Sequence, residues 1–218
     1  MRKNYFVIVT LFSMWGILGL CGCDTATQPT PFDIAVEEVK EGKSTKIDTT
    51  EMLDVGDEQV KQLEGLEGLT ELRLNRSLIT DEGLRSIAKI PNLTILSLGE
   101  TRITDDSLAI LAKHPTLKHL SLDKTRITDK ALDTIATIPN LDELFFWKCA
   151  ITDKGCPALA KLTKLKRLHL DETRITGQGF KQLQTLKNLK YISVWRTAVT
   201  EDDATAFNKV LPNCQVNR

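Results

Sequence analysis

A 24-residue period constrains this chain more than any other feature. Six copies of one unit run back to back from Leu69 to Pro212, beginning at Leu69, Leu93, Leu117, Leu141, Leu165 and Leu189. The unit reads L-x-x-L-x-L-x-x-T-x-I-T-D-x-x-L-x-x-L-A-x-L-P-N. A unit this short cannot bury its apolar face alone, so neighbours must stack and share one continuous core. Stacked arrays act through broad surfaces. Positions that break the repeat therefore say more about function than positions that keep it.

Each unit contains two periodicities. Its first half alternates, as in Leu117-Lys-His-Leu120-Ser-Leu122, which predicts a short strand with Leu120 and Leu122 facing inward. Its second half spaces apolar residues by three to four, as in Leu132, Ile135, Ala136 and Ile138, which predicts one face of a helix. A Thr-Asp pair such as Thr128-Asp129 lies between them. Threonine is a good N-cap, and an aspartate in the first turn favours the helix dipole. Pro91-Asn92, Pro139-Asn140 and, one residue late, Pro212-Asn213 stop the helix before the next strand.

The pattern resembles the leucine-rich repeat family, carried in the second copy by Leu93, Leu96, Leu98, Thr101, Ile103 and Leu108. The resemblance covers about two thirds of the chain. It implies an α/β, right-handed leucine-rich repeat solenoid with a parallel concave sheet and convex helices. The I-T-D-x-x-L phrase is similar to repeats of the cysteine-containing type and of some bacterial envelope proteins. At the ninth position stand Ser77, Thr101, Thr125, Cys149, Thr173 and Thr197. A buried hydroxyl there must bond to turn backbone, because an unpaired one costs about 1–3 kcal/mol. Residues 34–68 read as an N-terminal cap and a degenerate repeat, with Ile47 shifted from its strand register and Ile34–Glu41 either helix or strand. Residues 69–213 hold the six repeats, and 214–218 form a C-terminal tail.

Residues 1–22 have the layout of a secretory signal: Arg2 and Lys3, an uncharged apolar run from Tyr5 to Leu20, then Leu20-Cys21-Gly22-Cys23. The ending resembles a bacterial lipobox, which implies cleavage before Cys23 and lipidation of its thiol. The apolar run is short of the roughly 20 residues that span a bilayer. Residues 23–33, rich in Thr and Pro, read as a tether. The expectation is an exported protein held to a membrane by lipid at Cys23, facing the periplasm or cell exterior. Basic and acidic residues balance at 29 each, and loss of Arg2 and Lys3 leaves a net charge of −2. That balance gives no footprint for nucleic acid.

Exposed strand positions form columns across the sheet. One column reads Asn75, Gly99, Asp123, Trp147, Asp171, Trp195; the next reads Arg73, Ser97, Ser121, Phe145, His169, Ser193; a third runs from Glu71 through His119 and Arg167 to Tyr191. Repeats one to three present small or charged groups. Repeats four to six present Phe145, Trp147, Tyr191 and Trp195, with His169, Arg167 and Arg196 among them. Bare aromatics on a solvent-facing sheet are typical interface anchors. Phe145, Trp147, His169, Tyr191, Trp195 and Arg196 are therefore the candidate partner-binding residues. The expected partner is a protein, with a glycan stacked on the tryptophans as the subordinate version. Two readings stand beside this one: the aromatics pack on each other or on a C-terminal cap, or the chain is a structural, self-associating envelope component.

Other chemistry is weakly supported. His169, Asp171 and Ser193 face one way, but an open sheet offers no oxyanion hole and does not exclude water, so no enzyme activity is expected. The histidines lack metal-ligand spacing, and no phosphate loop or dinucleotide fingerprint occurs, so neither metal nor cofactor is expected. Cys149, Cys156 and Cys214 read as buried thiols, with Cys149–Cys156 or Cys156–Cys214 open as disulfides. Arg102, Arg126 and Arg174 form a column, with Glu100 and Glu172 two residues from the first and last, which suggests a solvated ladder of weak pairs.

Overall fold

A computed structural model describes residues 28–218 apart from Glu51, Leu53 and Lys113. The signal segment and Cys23 lie outside the described residues. Among the described residues eight strands form one parallel sheet in chain order: β1 (Lys46–Asp48), β2 (Glu71–Arg73), β3 (Ile95–Ser97), β4 (His119–Ser121), β5 (Glu143–Phe145), β6 (Arg167–His169), β7 (Tyr191–Ser193) and β8 (Gln215–Asn217). Leu72 pairs with Leu96, Leu96 with Leu120, and so on to Ile192 with Val216. The 24-residue period is thus the register of the sheet. Ile47 pairs with Leu72, one residue longer, which is the shift visible in the sequence. Helical segments cover the opposite side, so the chain is a leucine-rich repeat solenoid.

The core is a set of apolar columns between the two layers. Leu69, Leu93, Leu117, Leu141, Leu165 and Leu189 form one column, and all are at most 2% exposed. Burying each such side chain contributes about 1.5–3 kcal/mol. A tight turn follows each of β2 to β7 and ends the three-residue strand. Arg76, Glu100, Lys124, Lys148, Glu172 and Arg196 take left-handed backbone with φ of 53–64°. None is glycine, so each costs about 1–2 kcal/mol. Backbone bonds offset that cost: the N–H groups of Arg76, Glu100, Lys124, Lys148 and Glu172 each donate to a carbonyl of the next repeat at 2.6–2.9 Å. In the same turn, Ser77, Thr101, Thr125, Thr173 and Thr197 donate their hydroxyls to the carbonyl three residues back at 2.6–2.7 Å.

The Thr-Asp pair works across repeats. The N–H and hydroxyl of Thr80, Thr104, Thr128, Thr152 and Thr176 both donate to the aspartate of the preceding repeat: Asp57, Asp81, Asp105, Asp129 and Asp153. The hydroxyl bonds are all 2.6 Å, and the N–H bonds are 2.7–2.9 Å. Charge-assisted bonds of this kind are the stronger class. Gly83, Gly155 and Gly179 face the carboxylates of Asp57, Asp129 and Asp153, and Ser107 and Ala131 stand at the equivalent unit position. A Cβ on any of those three glycines would crowd its aspartate oxygen. The ladder stops at Gly177, where a Cβ would collide with the Asp203 carboxylate. Thr200 there exchanges bonds with its own Asp203 in a capping box.

Helices on this side are short, from α2 (Asp57–Val60) and α3 (Asp81–Ile87) through α4 (Leu132–Ile135) and α5 (Cys156–Leu159) to α6 (Gly177–Gln182). Several carry a 3-10 turn at one end, and the segment of the second repeat is 3-10 throughout (Asp105–Leu111). The solenoid is closed by longer helices. α1 (Pro31–Lys40) buries Phe32, Val36 and Val39, and a capping box at Thr30 starts it. It therefore begins inside the stretch read as tether, because Thr30 and Asp33 are capping residues rather than spacer. α7 (Glu201–Val210) buries Ala204 and Phe207, and Phe207 stacks on Phe180 at 4.3 Å. The tail residues Gln215–Asn217 are the eighth strand. Among the described residues no helix is long and apolar enough to cross a membrane.

Asp129→Ala strands two polar donors of Thr152 and is expected to lower the unfolding free energy by about 2–3 kcal/mol. Asp129→Asn, which keeps an acceptor, should lose less. Gly177→Asp should destabilise rather than extend the ladder. Urea denaturation of the three variants checks the set.

Candidate functional site

The concave face carries a second pattern, with a period of two repeats. Asn75 Oδ1 accepts the N–H of Gly99 at 2.8 Å. Asp123 Oδ1 accepts that of Trp147, and Asp171 Oδ1 that of Trp195, both at 2.7 Å. In repeats 1, 3 and 5 the column thus supplies an acceptor, and in repeats 2, 4 and 6 it supplies the residue held. Both tryptophans are placed by an aspartate one strand away.

Next to this column four rings run across β4 to β7. His119 and Phe145 have centroids 4.7 Å apart, Phe145 and His169 4.3 Å, and His169 and Tyr191 5.1 Å. Such separations suit attractive ring pairs. Each ring is partly covered by its neighbours. His119 Nδ1 lies 2.9 Å from Glu143 Oε2, and His169 Nδ1 lies 3.9 Å from Asp171 Oδ2. Of the candidate residues, Phe145, His169 and Tyr191 therefore join one row, and His119 extends it.

The tryptophans sit against cations. Lys124 Nζ lies 4.4 Å from the Trp147 ring centroid, and the Trp147 indole N–H donates to Glu172 Oε1 at 3.1 Å. The Arg196 guanidinium lies 4.1 Å from the Trp195 ring, which remains 41% exposed. These cations belong to the left-handed turn column. In that column Glu100 pairs with Arg76 and Lys124, and Glu172 with Lys148 and Arg196. This corrects the sequence reading of the arginine ladder. Glu100 and Glu172 turn toward their own column, and among the described residues Arg102, Arg126 and Arg174 have no carboxylate within ion-pair distance. Lys124, Glu172, Asp123 and His119 are contributors that pattern reading missed. For Lys124 and Glu172 the available signal was a glutamate between two cations, twice over, at residues 76, 100, 124 and 148, 172, 196.

A concave depression of about 480 Å³ opens on the N-terminal side of Trp147, between Arg73 and Arg76 on one wall and His119, Phe145 and Trp147 on the other. Its floor is Ser97, Gly99, Ser121 and Asp123. The small groups that repeats one to three present are therefore what make this space.

The Ser-His-Asp grouping is not wired as a triad. Ser193 is buried and donates to Asp171 Oδ1 at 2.5 Å, and Asn217 donates to Ser193 Oγ at 2.8 Å. The hydroxyl is thus held by the carboxylate itself and is not presented to His169. Cys149, Cys156 and Cys214 are free and buried. Burial pushes their thiols up to about 11, about 12 and about 11, which leaves them unreactive. His114 occupies a core position, its Nε2 3.1 Å from the Ile90 carbonyl and its Nδ1 buried without a partner.

Two aspartates in one column are driven in opposite directions. Burial raises Asp123, outweighing bonds from the Trp147 N–H and Ser121. Burial also raises Asp171, but His169, the Ser193 hydroxyl and the Trp195 N–H together hold it below the usual carboxylate range. On acidification Asp123 should protonate above the ordinary aspartate value of 3.8 and Asp171 below it. The sign follows by linkage. Asp171 contributes stability above the unfolded-state pKa that is lost as pH falls through its lower folded value. Asp123 contributes stability at low pH that is lost as pH rises through its higher folded value. Carboxyl carbon NMR titration checks the order.

A family model described as Leucine Rich repeat matches residues 69–88 and 113–136. No curated protein matches the chain in sequence. Among solved structures, an internalin from Listeria monocytogenes superposes with a TM-score of 0.60 at 20% identity, over 79% of this chain and 52% of that one. The chain thus spans about half the length of that internalin. Internalin C2 from the same species superposes with a TM-score of 0.57 at 21% identity, over 89% of this chain and 99% of that one. At such identity the likeness is one of fold. Its repeat, its single parallel sheet and the matched segments make the chain a leucine-rich repeat protein.

Proposed function

We propose that the chain is an exported module that binds a protein partner through the C-terminal half of its concave face, and that it is anchored to a membrane by lipid at Cys23. One observation carries the binding reading. Trp195 keeps a large apolar ring in solvent, backed by Arg196, in the column next to an aromatic row that ends at Tyr191. Interface hot spots are enriched in tryptophan, tyrosine and arginine, and all three types meet here. Rigid rings held by neighbours lose little entropy on binding. The anchor reading rests on the sequence of the N-terminal segment alone.

The double substitution Trp147→Ala, Trp195→Ala should leave folding intact by circular dichroism and remove a specific band from pull-downs of envelope extracts. A normally folded variant that captures the same proteins as the wild type would sink the concave-face reading. Concentration-dependent assembly of the purified chain by sedimentation would favour a self-associating envelope component instead. For the anchor, fatty-acid label should enter the wild type and be absent from Cys23→Ser.

A further inference from the structure

The column Asn75, Gly99, Asp123, Trp147, Asp171, Trp195 has one irregular member. Gly99 stands where repeats 4 and 6 carry tryptophan, and its N–H is held by Asn75 just as theirs are held by Asp123 and Asp171. Backbone geometry does not call for glycine at this point. The left-handed residue of the turn is Glu100, with φ of 58°, and Gly99 lies outside that region. A Cβ on Gly99 would approach Asn75 Oδ1 at 2.9 Å, yet Trp147 carries a Cβ in the equivalent place beside Asp123. What glycine supplies is the space of a missing indole, and that space is part of the 480 Å³ depression.

We propose that this slot binds a single saccharide ring. Its lining mixes apolar surface with hydroxyl, guanidinium and carboxylate groups, which suits a ligand that is itself both polar and apolar better than a hydrocarbon. Ser97 supplies a hydroxyl, Ser121 an oxygen whose proton goes to Asp123, and Arg76 the guanidinium N–H groups left beside its Nε pair with Glu100. Asp123 accepts one bond on each oxygen, from the Trp147 N–H and from Ser121, while a carboxylate offers about four acceptor sites. It therefore keeps capacity for a ligand hydroxyl. Trp147, with Lys124 over its ring, and Phe145, against which His119 packs, close one side with a mixed aromatic and polar wall for a sugar ring. Polar groups for hydroxyls beside an aromatic wall are the complement of a pyranose. The site goes beyond the protein-binding reading: it shares Trp147 and Phe145 with that surface but excludes Tyr191 and Trp195.

The test titrates the purified chain with methyl glucoside, methyl mannoside, methyl galactoside and N-acetylglucosamine, following amide resonances of Gly99 and Asp123 and the Trp147 indole. Saturable shifts at these groups with at least one sugar are expected. Gly99→Trp, which fills the slot from within, should weaken binding by about ten-fold or more. Gly99→Asp, the residue type that repeats 3 and 5 carry in this column, should weaken it too and serves if the tryptophan variant misfolds. No shifts with any sugar, or shifts that persist in both variants, overturn the proposal. Shifts produced by N-acetyltyrosinamide and by no sugar also overturn it, in favour of a side chain from a protein partner. Each of these results leaves the Trp195 reading to its own variants.

Discussion

The Thr–Asp bond between successive repeats is the interaction on which the rest of this structure depends. Strand pairing alone fixes neighbouring coils along one edge of each repeat. Each strand is three residues long, so that edge offers few bonds. The carboxylates of Asp57, Asp81, Asp105, Asp129 and Asp153 join the coils again on the far side of the turn, each accepting two bonds from the next threonine. Up to Thr176 this second attachment line holds successive coils against rotation about the sheet. Parallel register then repeats every 24 residues, and residues of the same unit position fall into columns. The concave face exists as a set of columns because of that register.

Those columns give the face a chemistry that single repeats lack. Phe145 stacks only because His169 occupies the same position on the next strand and His119, two positions earlier on the preceding strand, reaches its other side. Trp147 is held at its backbone by repeat 3, at its indole by repeat 5 and over its ring by Lys124. The left-handed turns contribute here as well. They cost strain at six non-glycine residues, and they project the charged groups of positions 76 to 196 into one row. There each glutamate serves two cations. Exposed pairs of this sort contribute little stability individually. Their value is positional, since they orient cations over the tryptophans.

Periodicity made the core and the strands legible. Leu72, Leu96 and Leu120 declare themselves by alternation, and Thr80, Thr128 and Thr152 by their place ahead of a helical stretch. Thr80, Thr128 and Thr152 do cap their helical turns. The role of the aspartates was hidden, because nothing in a linear unit shows that Asp129 reaches forward to Thr152 instead of serving its own helix. Partners one repeat apart are close in space and far apart in sequence. The same limit applies to Glu100. Read along the chain it neighbours Arg102, but the left-handed turn sends it across the stack to Arg76 and Lys124. The depression at Gly99 was the least visible feature, since it is made by what repeat 2 lacks. Recognising it requires knowing which side chain the equivalent positions place there.

Amide hydrogen exchange tests the central dependence most directly, because it reads each inter-repeat bond without altering it. The amides of Thr104, Thr128, Thr152 and Thr176 should exchange only on global unfolding, with protection equal to that of the β3–β7 strand amides. Exchange of these threonine amides well ahead of the strands, through local opening of the turns, would contradict the account.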